Sequence, residues 1–459
     1  MKNIILDDTI VALSTPSGVG AIGVIRLSGS QAIDISETLF PSLKLNAAAS
    51  HTLHFGLAMD GKEVVDEAVV GLFKAPKSYT TQNVVEISCH GSQFIIQRIL
   101  QLLIKLGARP AKPGEFTMRA FLNGRFDLSQ AEAVSDLIAS ESEAAHHIAM
   151  NQMRGGFSGE LKNLRQKLMD FASLVELELD FSEEDVEFAN RPQLISLLTE
   201  MQDKITKLSE SFRLGNVLKN GVATVIAGRP NAGKSTLLNN LLNEERAIVS
   251  DIPGTTRDTI EEVLSIKGVA FRLTDTAGIR HAADIIEREG VERTMQKIKQ
   301  ASIVLYLFDA MEMSAADVLS DVKKLGNSDN IGVILVANKT DLLTEAQIEA
   351  KFKEIGTIHF ISAKSGKGID ELKEHLYNAA LQGATMKESV VLTNSRHYEA
   401  LQLTLQNITN AKNGIETKLS GELVASDIRS ALSHLGEITG EVTTDDLLGN
   451  IFGRFCIGK

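Results

Sequence analysis

The spacing of hydrophobic positions changes twice along this chain. Through residue 122, short apolar runs such as "TIVALS", "IGVIRLSG" and "NVVEISCHG" alternate with turn-rich stretches such as "PSGVGA". Runs of about four to eight residues rich in Val and Ile, bounded by Gly and Ser, predict strands. In "SQFIIQRILQLLIKLG" the apolar residues fall three and four apart, which predicts a helix ending at Gly107. Residues 1–122 therefore read as an α+β domain.

From Asp127 the period is helical and stays so through Leu179. Ser129 and Glu132, in "SQAE", have the spacing of a capping box. A second helical stretch follows Asn394 with "SRHYEALQLTLQNITNAKNG" and runs through "ELVASDIRSALSHLGEITG" to "DDLLGNIFG". Between them, "VATVIAG", "AFRLTDTAG", "SIVLYLFDA", "GVILVANK" and "IHFISAK" alternate with helical patterns. That alternation predicts βαβ units and a mostly parallel sheet. The expected organisation is multidomain. An α+β domain spans 1–122, and a helical domain lies in two segments, 123–216 and 383–459. An α/β domain, 217–382, is inserted between those segments, which are expected to pack together.

Composition narrows the class. No run of about 18 apolar residues predicts a membrane-spanning helix, and Asp7 and Asp8 break the apolar start as a signal peptide would not. The chain has two cysteines, Cys89 and Cys456, far apart, which argues against a disulfide framework and for the cytoplasm. Net charge is −12. Residues 1–125 carry 12 Lys and Arg against 10 Asp and Glu, and residues 216–384 carry 20 against 23. The remaining stretches carry 15 against 26, much of the excess in "ELELDFSEEDVEF". This reads as a solvated helix face and its exit loop. Such a surface repels polyphosphates, so any RNA contact is expected to be local or shared with a partner.

The inserted domain carries the chemistry. "GRPNAGKST" follows a strand and opens a helix, with Gly228, Gly233, Lys234 and Ser235 at the phosphate-loop spacing. Backbone amides at a helix N-terminus cradle phosphates. Lys234 is expected to reach the β- and γ-phosphates, and Ser235 to hold Mg²⁺. "NKTD", Asn338 to Asp341, follows a buried strand, and a carboxylate there accepts both the ring N–H and the exocyclic amine of guanine. In "SAK", Ser362 to Lys364, the Ala363 amide is expected to reach the guanine oxygen. "DTAG" supplies Asp275 on the Mg²⁺ side and Gly278 as γ-phosphate sensor, and "GTTRD" supplies Thr256 as a second hydroxyl for Mg²⁺. Five elements in this order resemble the Ras-like, translation-factor-related GTPases. Ile279 follows "DTAG" where Ras-type enzymes place a water-positioning Gln, so catalysis needs another source. Asn231 could hold a monovalent cation, and Glu287 is either a water-orienting carboxylate or a solvated helix residue.

"GRPNAGKSTLLN", "IVSDIPGTTRDTIEE", "LTDTAGIR", "FLNGRFDLSQAEAVSDLI" and the terminal "FCIGK" together resemble the MnmE (TrmE) family of tRNA-modification GTPases, across the whole chain. The GTPase motifs alone also resemble Era- and Der-like ribosome-assembly GTPases, an alternative in which the chain is a binding switch. Those would carry an RNA-binding domain after the GTPase domain, whereas this chain returns to an acidic helical segment.

The MnmE resemblance implies an N-terminal tetrahydrofolate-binding and dimerising domain, a helical domain and an inserted GTPase domain. It implies a homodimer whose GTPase domains pair through their nucleotide faces when K⁺ binds. It also implies an FAD-containing partner, MnmG (GidA), forming a heterotetramer that modifies the wobble uridine of certain tRNAs with a folate-borne one-carbon unit. By matching positions, K⁺ is assigned to Asn231, Ser250, Ile252 and Thr255, and Mg²⁺ to Ser235 and Thr256. Nucleotide contacts extend to Ala232, Thr236, Asp251, Pro253, Gly254, Thr276, Ala277, Lys339, Thr340 and Lys364. Glu287 becomes the catalytic carboxylate, and Arg26, Glu86, Arg125 and Lys459 the folate site. The tail places Cys456 near the one-carbon chemistry as a catalytic candidate. A lipid anchor on Cys456 is not expected, because Lys459 is not a usual terminal residue for prenylation and "DDLLGNIFGRF" is nearly neutral. Cys89 and His90 are adjacent on a strand and point to opposite faces, so Cys89 reads as core.

Overall fold

The structure is a computed structural model that describes residues 8–180, 191–245, 262–275, 296–325, 332–381 and 391–458, without the side chains of 177–180, 243–245, 275 and 345. The chain divides into two compact units. One comprises Met1–Ser135, Gln152–Met201 and Leu403–Lys459, the other Asp136–Asn151 and Gln202–Gln402.

The first unit is built on six strands: β1 (Ile10–Leu13), β2 (Ile22–Ser28), β3 (Thr52–Asp60), β4 (Glu63–Phe73), β5 (Val84–His90) and β6 (Arg109–Pro110). They lie in the order β3-β4-β5-β2-β1-β6, antiparallel except for the β1–β6 pair. Helices Ala32–Leu39 and Gln93–Lys105 supply Ile35, Leu39, Ile99 and Leu103 to a core with Ile25, Leu27, Val70 and Ile87. The two-residue period of β5 buries Val85, Ile87 and Cys89 and leaves Glu86 and His90 on the other face. His90 is held there by Asp66, whose carboxylate accepts from the His90 amide at 2.8 Å and meets the ring at 2.7 Å. Cys89 is 2% exposed, as a core residue should be.

The helical part of this unit pairs Gly156–Asp180 with Gly421–Thr439, and Arg429 bonds Glu176 across them at 3.1 Å. The cap of the Leu128–Ile138 helix sits two residues before the expected one. Asp127 accepts from the Gln130 amide at 3.0 Å, and the Gln130 side chain returns to the Asp127 amide at 3.0 Å. Asp127 is thus the N-cap and Gln130 its reciprocal partner. Ser129 and Glu132 are buried inside the helix instead. A last helix, Asp445–Phe452, packs on Glu115–Leu122, where Leu128, Leu448, Phe452 and Phe455 form a small core that anchors the tail.

The second unit carries β7 (Val222–Ala227), β8 (Glu262–Ile266), β9 (Val269–Asp275), β10 (Ile303–Asp309), β11 (Gly332–Asn338) and β12 (Ile358–Phe360) in the order β12-β11-β10-β7-β9-β8. All pairs are parallel except β8–β9. Every residue of β10 is buried, because helices cover both faces of a parallel sheet. Ile303, Leu305 and Leu307 enter one core, and Val304, Tyr306 and Phe308 the other. From β7 the neighbouring connections diverge, to β9 on one side and β10 on the other. In open α/β sheets ligands bind at the carboxyl ends of strands beside such a switch point.

Candidate functional site

The loop after β7 lies at that switch point, and its glycines are fixed by contact. Gly228 has φ 151°, and a Cβ there would lie 2.0 Å from the Leu307 carbonyl oxygen on β10. Gly233 has φ 95°, and its Cβ would lie 2.3 Å from Asn338 Nδ2. Asn231 adopts the left-handed φ of 62°, a conformation Asn tolerates better than most residues. The helix Lys234–Glu245 then begins with its first amides unpaired within the helix, an arrangement suited to anions. Lys234 Nζ donates to the Gly228 and Arg229 carbonyls, each at 2.9 Å, so the loop closes around its own lysine. Asn231, Ser235 and Thr236 are exposed on this loop and first turn, and Ala232 is buried beneath.

Asn338 ties the loop to the other predicted segments. It is 3% exposed. Its Nδ2 donates to the Ala232 carbonyl at 2.8 Å, and its Oδ1 accepts from the Ala363 amide at 2.9 Å. The Ala363 carbonyl in turn accepts from Asn240 at 3.0 Å. The Ala363 amide, assigned to guanine from the sequence, thus already has an acceptor that a base would share or replace. Lys339 has φ 64° and its Nζ lies 2.5 Å from Asp309 Oδ2. Burial alone would raise the Asp309 carboxyl, but the Lys339 and Met311 hydrogen bonds hold it below the ordinary carboxylate value. Thr340 donates its hydroxyl to the Ile361 carbonyl at 2.9 Å, and Asp341 is exposed on the short turn Thr340–Leu342. Ser362 is fully buried, and Lys364 is exposed.

Other predicted residues fall elsewhere. Asp275 closes β9, in register with Ile226. Ser250, Asp251, Ile252, Pro253, Gly254, Thr255, Thr256, Thr276, Ala277, Gly278, Glu287 and Lys459 lie outside the described residues. Ser235 and Asn231, both exposed beside the phosphate cradle, offer a hydroxyl and an amide oxygen, ligand types that suit the two cations.

A second cluster lies in the first unit. Arg26 and Glu86 face each other across β2 and β5. The Arg26 Nε and a terminal nitrogen both meet Glu86 Oε1, at 2.9 and 2.8 Å. Another Arg26 nitrogen donates to the Gly458 carbonyl at 3.3 Å, joined there by the Ser14 hydroxyl at 3.2 Å. Gly458 has φ 95°, and a Cβ would lie 2.2 Å from the Leu13 carbonyl oxygen, so the tail passes β1 only with glycine here. Cys456 is exposed, and its carbonyl accepts from the Gly114 amide at 3.4 Å.

Tyr79 links both arginines, with the Arg26 and Arg125 guanidinium carbons 5.3 and 5.2 Å from its ring centre. A cavity of about 510 Å³ opens beside Arg125, between His51, Phe73, Tyr79 and Asn123. Arg125 and Tyr79 line this cavity while Arg26 and Glu86 do not; together the partly exposed carboxylate, the two arginines and the aromatic ring are groups that suit a flat heterocycle with an acidic tail. Neither Tyr79 nor the Gly458 carbonyl stands out from the sequence.

The MnmE helical domain profile matches residues 128–456, and that of the GTP-binding protein TrmE N-terminus matches residues 9–125. The tRNA modification GTPase MnmE of Cytophaga hutchinsonii is 56% identical, covering 98% of this chain and 98% of its own. The protein of the same description from Christiangramia forsetii is 52% identical, covering 99% of this chain and 100% of its own. That from Bacteroides fragilis is 52% identical over 98% of this chain and 99% of its own.

Proposed function

The chain belongs to the MnmE (TrmE) family of tRNA modification GTPases, and from that premise we propose that it is a K⁺-dependent GTP hydrolase coupled to wobble-uridine modification. It works as a homodimer with an FAD-containing partner, MnmG (GidA), in a cytoplasmic heterotetramer. The complex adds a carboxymethylaminomethyl or aminomethyl group at C5 of the wobble uridine of certain tRNAs, using a tetrahydrofolate one-carbon unit. Among the described residues no helix is long and apolar enough to cross a membrane.

The observation that carries the hydrolase half is the phosphate loop closed around Lys234 and bridged through Asn338 to Ala363. A loop so held presents its amides without reorganising when nucleotide arrives, and preorganised donors are the largest source of charge stabilisation in such sites. Lys234 neutralises the β- and γ-phosphate oxygens. Asp341 reads the guanine edge, and Lys339 of the same motif is steadied by Asp309. Ser235 and Thr256 hold Mg²⁺, and Asn231, Ser250, Ile252 and Thr255 hold K⁺. Bound there, the cations supply positive charge where the transferring phosphoryl group gathers negative charge. Glu287 orients the attacking water, a task that Ile279 cannot perform.

For the modification half, support comes from the tail lying against Arg26. Glu86 suits the amide-and-amine edge of a pterin, while Arg125 and Lys459 suit the folate's carboxylates. The exposed Cys456 stands on the tail two residues before Gly458, whose carbonyl accepts from Arg26.

Cation dependence tests the reading. GTP turnover by the full-length protein is measured in K⁺ and in Na⁺ at matched ionic strength. Strong stimulation by K⁺ is expected, and equal turnover in both salts rejects the cation mechanism.

A further inference from the structure

The Arg229 side chain leaves the phosphate loop and ends on a neighbouring helix, Ala315–Lys324. Its Nε donates to Asp321 Oδ2 at 2.6 Å, and a terminal nitrogen lies 3.5 Å from Asp317 Oδ1. Tyr306, on β10 and 3% exposed, donates its hydroxyl to the same Asp321 oxygen at 2.9 Å. Lys324 reaches the other oxygen at 3.1 Å. The helix start is itself fixed, because Ser314 and Asp317 form a capping box. The Arg229 hydrogen bond, with help from Tyr306 and Lys324, lowers the Asp321 carboxyl to about 2 against the pull of burial. Asp321 is therefore charged at any physiological pH.

Both ends of Arg229 are held. Its carbonyl accepts from Lys234, and its guanidinium is gripped by Asp321. Pro230 follows and keeps Arg229 out of the helical region, and Asn231 then turns left-handed. Gly228 is pressed on Leu307, while the Ala232 carbonyl is tied to Asn338. The stretch between those two anchors is pinned from outside by the Arg229–Asp321 pair.

We propose that Arg229, Asp321 and Tyr306 are positioning residues, holding the Gly228–Asn231 turn ready so that Lys234 and Asn231 stand in place before nucleotide and cation bind. None of the three needs to touch nucleotide. The proposal rests on the GTP-binding reading above and goes beyond it in naming what shapes the loop. Losing the pair leaves the turn to be ordered by the ligand, at the expense of affinity.

Fluorescent GDP titration of the full-length protein tests this with Arg229→Ala, Asp321→Ala and the double variant. Each single change is expected to weaken GDP binding by roughly three- to tenfold, the scale of a charge-assisted pair in a partly exposed site. The double variant should be no weaker than the worse single one. Arg229→Lys should recover part of the loss, and Tyr306→Phe should show a smaller loss in the same direction. The KM for GTP and the K⁺ concentration for half-maximal turnover should rise more than kcat falls. Should Asp321→Ala fold poorly, Asp321→Asn keeps a hydrogen-bonding side chain without the charge and should weaken binding likewise. As a control, Arg98→Ala removes a surface ion pair with Asp60 in the other unit and should leave GDP affinity unchanged. Wild-type affinity in both single variants, fully additive losses, or a loss matched by unfolding overturns the proposal. An unsubstituted protein that binds no GDP would instead reject the GTPase reading.

Discussion

Replacing Asn338 by Ala removes one side chain that bridges two loops. The amide is 3% exposed, and its two partners belong to Ala232 and Ala363, each 2% exposed. Without it, the Ala232 carbonyl and the Ala363 amide both lose the acceptor or donor seen at 2.8 and 2.9 Å. A buried polar group left without a partner costs about 1–3 kcal/mol. In the nucleotide-free variant the two loops are no longer tied and can part to hydrate both groups, so the thermal midpoint should fall by several degrees. Binding must close them again; the guanine oxygen can then take the Ala363 amide, but the Ala232 carbonyl is buried without a partner. That penalty falls on the bound state alone and corresponds to about 1–3 kcal/mol of binding, or roughly 5- to 150-fold in Kd. Titration with fluorescent GDP and thermal unfolding with and without saturating GDP measure the two quantities separately. An Asn338→Ala protein with wild-type GDP affinity would refute the claim that this amide couples the phosphate loop to the base-side loops.

Two further outcomes follow from buried groups in the first unit. At pH 8 a disulfide reagent should modify one thiol quickly, Cys456, and the other only on unfolding. Cys89 is 2% exposed, and burial, with the Asp66 carboxylate nearby, pushes its thiol up to about 11. Two fast phases of equal size, or a fast phase that survives Cys456→Ser, would contradict this. Glu115 is buried, which alone would raise its carboxyl. Hydrogen bonds from Arg109, the Lys112 amide and Arg119 outweigh this and hold it below the ordinary carboxylate range. Asp8 is held down by the same two arginines. The stabilisation is thus present above the unfolded carboxylate pKa of about 4 and is lost as pH falls through the lower folded values. Thermal unfolding between pH 6 and pH 2.5 should show this loss, with a flatter profile for Glu115→Gln, and identical profiles would count against it.

The GTPase motifs were legible because phosphate and guanine chemistry dictates residue type and spacing together. The parallel core was legible because strands such as "SIVLYLFDA" are apolar throughout, as strands covered on both faces must be. Less visible was β8, a five-residue edge strand with mixed burial. Its signal was the turn, where Lys267 and Gly268 have φ 50° and 80° and close the β8–β9 hairpin. The β3–β4 hairpin was hidden in the same way, since exposed Leu53 and Phe55 spoil the polar half of its alternation.

The helix cap at Asp127 was misplaced because "DLSQAE" offers two overlapping capping patterns, and only the packing of Leu128 and Ala131 selects the first. Contacts between residues distant in sequence left no trace in any local pattern. The Arg229–Asp321 pair joins positions 92 residues apart, and Arg26 meets Gly458 across 432.

The central claim is that this GTPase modifies tRNA. It is tested most directly by nucleoside mass spectrometry of tRNA from a strain lacking the chain, complemented with the wild-type protein or with Lys234→Ala. The account predicts that C5-modified wobble uridine disappears in the deletion, returns with the wild type and does not return with Lys234→Ala. Unchanged wobble-uridine modification in the deletion strain would contradict it.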